Sequence, residues 1–139
     1  MKKLIIAAAF ILLAGTVFSQ TLQKGAHLGV NTMKVTLDPD VTMNQYLDFT
    51  INTVVPEIEK HFPGMKVFIM AGGGDLGENK IEYAYLFYFE TAEVYNKYFD
   101  AEGNFNDEGL AAMEKLGPTF EEQDKLGTDP GKLAGWLIL

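Results

Sequence analysis

Few side chains of this 139-residue sequence can do acid–base or covalent chemistry, and most of the candidates are phenols and amides. The chain has no cysteine, and its one serine, Ser19, lies in the export segment described below, so a thiolate nucleophile, a cysteine metal site and a serine hydrolase are excluded. Two histidines, His27 and His61, are the imidazoles that could act as a base or a ligand near neutral pH. Neither has a neighbour at metal-ligand spacing, so we predict no metal site.

Aromatic residues recur at every second position in the run 81–89, which places them on one face of a predicted strand. Tyrosine hydroxyls are costly to bury without a partner, so these are positions where a polar cavity can open. We expect a site for a small, mostly apolar ligand, formed by His27, Asn31, Tyr46, Phe68, Tyr83, Tyr85, Phe87 and Trp136. The alternative is that the aromatic stripe forms only core or a dimer interface.

Two motif matches are weak. Glycines 72, 74 and 77 satisfy the G-x-G-x-x-G spacing, but a dinucleotide site needs a helix directly after the glycines and an aromatic strand follows here. We interpret this stretch as a hairpin turn. The segment 104–109 resembles the start of a calcium loop, but the twelfth position, where a bidentate glutamate is required, is Lys115. A loop that enters a helix is the simpler interpretation.

The N-terminus predicts export. Lys2 and Lys3 precede an apolar run over residues 4–14, and small or apolar residues follow up to Ser19. This is the pattern of a secretory signal peptide, with cleavage expected between Ser19 and Gln20. The run is about half of the roughly 20 residues that span a bilayer, so no membrane association is expected after cleavage. The mature chain, 20–139, suits one domain, located in the periplasm or outside the cell.

Composition limits the partners. The full chain carries a formal net charge of −8 and contains no arginine. An acidic chain without arginine lacks the cations that release counterions and grip phosphates, so nucleic acid binding is excluded. Without disulfides, an exported domain of this size must be stabilised by its core or by a partner subunit.

Hydrophobic periodicity and turn residues predict the order of elements. Thr42 is a predicted N-cap with Gln45 as its capping-box partner, and Pro56 should kink or divide the helix that follows. The predicted strands are 26–37, 65–71, 81–89 and 133–139. The predicted helices are 42–62, 90–99, 107–116 and a short one at 118–126.

The order strand, helix, strand, strand, helices, strand is the ferredoxin-like pattern. The third strand is apolar on both faces and must therefore be covered on both. The chain resembles the dimeric α/β-barrel superfamily in residues 26–139, where the segments HFPGM at 61–65 and FYFETAE at 87–93 carry the resemblance. It implies an α+β, ferredoxin-like fold with a four-stranded antiparallel sheet, extra short helices before the last strand, and a homodimer formed through the sheets.

The same resemblance leaves three functions open. The one we favour is an exported domain that binds a small apolar ligand between sheet and helices. A cofactor-independent monooxygenase-like enzyme would need Asn31, Tyr46, His27 or Trp136 near the reacting oxygen. A structural or interaction homodimer predicts no cavity of about 300 Å³ or more. No cofactor is predicted. Haem stays open because Asn31 matches an asparagine of haem-degrading relatives, although the segment 90–99 lacks their histidine.

Overall fold

The sheet of the computed structural model has the ferredoxin-like order. Residues 24–75, 77–128 and 133–138 are described, so the predicted export signal lies outside the described residues. The strands are β1 (His27–Leu37), β2 (Met65–Asp75), β3 (Lys80–Phe89), β4 (Gly127–Thr128) and β5 (Leu133–Ile138). The order is β2-β3-β1, with β4 and β5 both paired to β1, and each pairing is antiparallel. The short β4 pairs with the end of β1 and β5 with its start, so the predicted four-stranded α+β sheet is confirmed.

The first helical segment is divided as predicted. Helix α1 (Met43–Phe49) leads into a π-helical turn (Thr50–Val54) and then into helix α2 (Val55–His61). Thr42 and Gln45 form the expected capping box. The Val55 amide bonds to the Thr50 carbonyl five residues back, because Pro56 has no N–H to continue the regular ladder. Gly64, with φ of 94°, ends the segment in a conformation that glycine adopts without strain.

The β2–β3 hairpin is longer than the sequence predicts. We expected β2 to end at residue 71 and a turn to follow, but β2 extends to Asp75 with a shift of register between Met70 and Gly74. Glycines allow such a bulge, so the glycine-rich stretch contributes to the strand as well as to the turn.

The helices after β3 also differ from the prediction. Helix α3 (Ala92–Asn96) is shorter than the predicted 90–99. The additional helical segment before the last strand is present, but helix α4 (Asp107–Asp124) runs through Pro118, so the segments predicted at 107–116 and 118–126 form one helix. Pro118 removes one hydrogen bond from the helix, but Leu116 and Gln123 are buried on either side of it. Packing on both sides of the proline therefore keeps α4 continuous. None of the helices in the described ranges is both long and apolar enough to cross a bilayer.

The helices cover one face of the sheet. On that face, alternate residues of β1, such as Val35, and of β3, such as Phe89, belong to the buried core. The opposite face, here called the open face, carries exposed apolar residues: Val30, Phe68 and Met70 are 37%, 47% and 53% exposed. Val30 and Phe68 both pair with Leu86 of the central strand β3, so the apolar surface is continuous across three strands.

Candidate functional site

A cleft of about 800 Å³ lies between the helix-covered face of the sheet and α4. It exists because the main contacts of α4 are with α2, the π-helical turn and β4 rather than with the middle of β1 and β3. Its lining comes from β1 and β3, the first helical segment, the loop before α4, and α4 itself. This is the space between sheet and helices in which the sequence predicts a ligand.

Most of the cleft wall is apolar. The apolar part is formed by Met33, Phe87, Phe99, Phe105, Leu110 and Met113. The rings of Tyr85 and Phe87 stack with centroids 5.6 Å apart and planes 13° from parallel, which gives the sheet side a flat aromatic surface. Leu110 is 56% exposed and lies where the cleft opens to solvent. An apolar wall with a few polar groups is typical of small-molecule sites.

A buried hydrogen-bonded network, here called the polar cluster, lies at one end of the cleft. It consists of Tyr46, Thr50, Tyr83, Tyr85 and Gln123. The hydroxyl oxygens of Tyr46 and Tyr83 are 3.2 Å apart, and the Tyr83 hydroxyl donates to that of Tyr85 at 3.5 Å. Gln123 Nε2 donates to Thr50 Oγ1 at 2.9 Å and to the Tyr85 hydroxyl at 3.2 Å. Thr50 in turn donates to the Tyr46 carbonyl oxygen at 2.9 Å.

The electrostatics of the cluster favour neutral groups. Burial, reinforced by the neighbouring phenols Tyr85 and Tyr46, raises the pKa of Tyr83 far above its usual range. Burial also raises the pKa of Tyr85, although hydrogen bonds with Tyr83, Gln123 and Thr50 oppose the shift. Both phenols therefore stay protonated at physiological pH.

Asn31 contributes a polar atom of a different kind. It lies on β1 directly opposite Tyr85 of β3 and lines the cleft. Its Oδ1 atom is buried, and no hydrogen-bond partner for it exists among the described residues. His27 Nδ1 on the same strand is likewise buried without a hydrogen-bond partner among the described residues. A buried polar atom without a partner costs about 1–3 kcal/mol.

The predicted site residues divide into those that the cleft brings together and those that it does not. Asn31, Tyr46, Tyr85 and Phe87 line the cleft, and Tyr83 joins them through the polar cluster. His27 lies on the same sheet face but stacks on Tyr95, with ring centroids 4.3 Å apart, outside the lining.

Two further predicted residues lie elsewhere. Phe68 is on the open face, 47% exposed, away from the cleft. The backbone of Trp136 pairs with Gly29 of β1, but its side chain lies outside the described residues.

Two residues of the cluster were not singled out from the sequence. Thr50 and Gln123 are the buried polar residues of the described core, at 0% and 6% exposure. Each occupies a position of an otherwise apolar helical stripe, Thr50 four residues after Tyr46 and Gln123 seven after Leu116. A polar residue on such a stripe is the signal that could have identified them.

The described lining of the cleft lacks two groups that often hold haem. Histidine, the usual axial ligand, is absent from the described lining, and so is any lysine that would pair with propionates. On the surface of α2, His61 Nε2 lies 3.4 Å from Glu57 Oε2. In the part of the chain that the structure describes, no group of three or more histidine, aspartate or glutamate side chains could hold a metal ion.

No family model matches the sequence, and no curated protein does either. Among solved structures, the chain is similar to a dimeric protein of unknown function and ferredoxin-like fold from Bacteroides fragilis. The two sequences are 14% identical, the match covers 85% of this chain and 100% of that chain, and the TM-score is 0.43. A dimeric ferredoxin-like protein of unknown function from Thermobifida fusca has 16% identity, coverage of 85% and 95%, and a TM-score of 0.41. An ethyl tert-butyl ether degradation (EthD) family protein from Bacillus halodurans has 21% identity, coverage of 77% and 96%, and a TM-score of 0.35. The ferredoxin-like fold of this chain is defined by its own strand order.

Proposed function

We propose that this chain is an exported, homodimeric domain that binds a small, mostly apolar molecule in the cleft between its sheet and helices. The observation that carries the proposal is the cleft itself. Its volume of about 800 Å³ lies within the range of roughly 300–1,000 Å³ that is usual for ligand sites. A structural protein with a filled interior would not have such a space, so the cleft argues against the ligand-free alternative.

The homodimer is supported by the open face. Apolar residues of three strands meet there, and none of the described helices covers them; contiguous apolar patches of this kind mark interaction surfaces. A second copy of the chain presents the same surface, and a two-fold interface requires that a patch complement itself. We expect the two sheets to pack face to face through Val30, Phe68 and Met70.

The enzyme alternative has partial support. Asn31 and Tyr46 line the cleft, as a monooxygenase-like mechanism would require, whereas His27 stacks on Tyr95 outside the lining. A reaction in the cleft would therefore depend on an amide and neutral phenols. Binding is the function for which the described residues supply more of the necessary groups.

Native mass spectrometry of the chain purified after export tests the proposal. We expect a dimer of residues 20–139 that carries additional mass. A chain that keeps residues 1–19 would contradict export, a monomer would contradict the dimer, and an empty dimer would favour the structural alternative.

A matched pair of variants tests the dimer surface. Phe68→Lys should yield a monomer because it places a charge within the exposed apolar patch of the open face. Ile51→Lys, at 48% exposure in the π-helical turn on the helix side, should leave the dimer intact.

A further inference from the structure

Strand β2 forms one edge of the sheet. In the described ranges it pairs with β3 alone, so the backbone groups on its other side are bonded by no described strand. Such an edge is a template on which another extended chain can add a strand. Phe68 and Met70 are exposed along the same strand, and exposed apolar side chains favour that kind of pairing. What occupies the edge of β2 therefore decides whether a further strand can join the sheet there.

Two hydrogen bonds define the direction of the backbone groups of β2. The Val67 amide donates to Glu59 Oε1 at 3.0 Å. The Met65 amide donates to the Phe62 carbonyl oxygen, also at 3.0 Å. Neither acceptor belongs to β3, so both amides point outward from the sheet. Because backbone groups alternate in direction along a strand, the next outward amide is that of Ile69. The first two outward amides of β2 are thus bonded to groups of the same chain.

Glu59 reaches this edge from the helix side of the sheet. It lies on α2, and its Oε2 atom is 3.3 Å from Nζ of Lys66. Lys66 is two residues from Phe68 on β2, so both belong to the open face. The carboxylate therefore connects a helix on one face with a lysine on the other and crosses the edge between them. A strand that paired with Val67 would have to displace this carboxylate, because the amide has one hydrogen to donate.

We propose that Glu59 is a guard residue, which keeps a second copy of this chain from pairing with the edge of β2. The occupant that it excludes is β2 of that second copy. An antiparallel pairing of two identical strands is two-fold symmetric, as an interface between like subunits requires. It would also bring Phe68 and Met70 of both copies onto one continuous apolar face. The inference goes beyond the proposed function, because it concerns neither the cleft nor a ligand.

Loss of the guard would change a closed assembly into an open one. The proposed dimer packs two sheets face to face, whereas the pairing of β2 joins two sheets edge to edge. These are two different two-fold contacts on one protomer, and their alternation builds a chain of subunits that does not close. With Glu59 in place only the face contact forms, so assembly stops at the dimer. If the wild type is a monomer, the same reasoning predicts that loss of the guard yields a dimer.

The variant Glu59→Ala removes the guard, and Glu57→Ala is its matched control. Glu57 lies on the same helix and loses the same charge, but its carboxylate accepts from Lys60 rather than from the strand. Sedimentation velocity at increasing protein concentration should show species larger than the wild type for Glu59→Ala and none for Glu57→Ala. Glu59→Gln should match the wild type, because its amide oxygen still accepts from Val67.

Hydrogen exchange at the Val67 amide, measured by NMR, tests the guard bond directly. At a concentration too low for larger species to form, the exchange rate should rise by about 10-fold or more in Glu59→Ala and stay unchanged in Glu57→Ala. This measurement does not depend on assembly. Alanine favours a helix and Glu59 is partly exposed, so the variant should fold, and urea unfolding checks that it does.

The double variant Glu59→Ala, Ile69→Pro tests whether the new contact is the edge of β2. Proline has no amide hydrogen, and at an outward position of an edge strand it removes no bond to β3. We therefore expect the second substitution to return the Glu59→Ala protein to the size of the wild type.

Four results would overturn the inference. Unchanged exchange at Val67 in Glu59→Ala would mean that the guard bond does not protect the amide. Faster exchange with no larger species would mean that the free edge does not pair. Equal assembly of Glu57→Ala would assign the effect to net charge, and larger species that persist with Ile69→Pro would form through another surface. None of these results bears on binding in the cleft, so the proposed function would stand.

Discussion

The two ends of the core beneath the helices are built from opposite kinds of interaction. The polar cluster is held by directional hydrogen bonds among phenols, a hydroxyl and an amide. The other end, here called the aromatic cluster, consists of Phe62, Phe89, Tyr95, Phe99 and Phe105. Its rings contact one another directly: Phe99 stacks on Tyr95 and on Phe105 with centroids 4.7 Å apart in each case, and its ring lies edge-on to Phe89 at 5.8 Å.

The difference shows how one strand face can be stabilised in two ways. Tyr83, Tyr85, Phe87 and Phe89 alternate along β3 toward the helices, so one side of one strand reaches both ends. Buried rings stabilise in proportion to the area removed from water, with no requirement for a particular partner. Buried phenols, hydroxyls and amides stabilise only when their donors and acceptors are matched in position and direction. The polar cluster is therefore the end that depends on the position of each partner.

The largest expected effect is at the aromatic cluster. Phe89→Ala should lower the free energy of unfolding by about 3–5 kcal/mol, because it opens a cavity at a fully buried ring that contacts Tyr95 and Phe99. Urea unfolding of the purified variant measures it. Phe89→Leu, which keeps most of the volume, should cost much less. A loss below about 1 kcal/mol for the alanine variant would show that this end of the core is not closely packed.

An intermediate effect is expected at the polar cluster. Gln123→Leu should cost about 1–3 kcal/mol, because Thr50 and Tyr85 each lose a donor while remaining buried. A double-mutant cycle with Thr50→Val should show an interaction energy of about 0.5–3 kcal/mol, since the two residues share a bond.

The cycle of Gln123→Leu with Phe89→Leu is the control for that coupling. Gln123 bonds Thr50 and Tyr85, whereas Phe89 packs on Tyr95 and Phe99 at the other end of the core, so their effects should add to within about 0.5 kcal/mol. Coupling between the two ends as strong as that within the polar cluster would remove the distinction between them.

The smallest expected effect is a dependence on pH that belongs to the polar cluster. Burial raises the pKa of Tyr83 in the folded protein above the value of about 10 in the unfolded chain. The stability linked to this phenol is therefore fully present below about pH 10 and decreases as pH rises above that value, because the unfolded chain releases the proton first.

The variant Tyr83→Phe isolates this contribution. Above pH 10, its free energy of unfolding should fall less steeply with pH than that of the wild type, by up to about 1.4 kcal/mol per pH unit. Urea unfolding at pH 8, 10 and 11 provides the comparison. Equal slopes for both proteins would mean that Tyr83 ionises as readily in the folded state as in the unfolded chain.

Local features of the fold could be predicted from neighbouring residues. The capping box of Thr42 and Gln45 and the division of the helix before Pro56 involve groups within a turn of each other. The continuity of α4 through Pro118 could not be predicted in the same way. A proline costs a helix about 3 kcal/mol locally, and only the burial of Leu116 and Gln123 by other elements shows that the helix continues.

The candidate site shows the same division. Alternation along β3 predicted that Tyr83, Tyr85 and Phe87 share a face, and three further predicted residues, Asn31, Tyr46 and His27, lie on the helix side of the sheet as well. The sequence could not indicate that Gln123 bonds Thr50, 73 positions away, because that bond depends on how α4 packs on the π-helical turn.

The sequence by itself determined the period of each element, the caps and breaks of the helices, and the order of strands and helices, because these depend on interactions over a few residues. The tertiary structure decided where α4 lies and therefore that a cleft remains above β1 and β3. It also decided which hydrogen bonds close within the polar cluster and that Asn31 Oδ1 is buried without a partner among the described residues. Those outcomes depend on side chains far apart in the chain, whose geometry is defined only once the elements have packed.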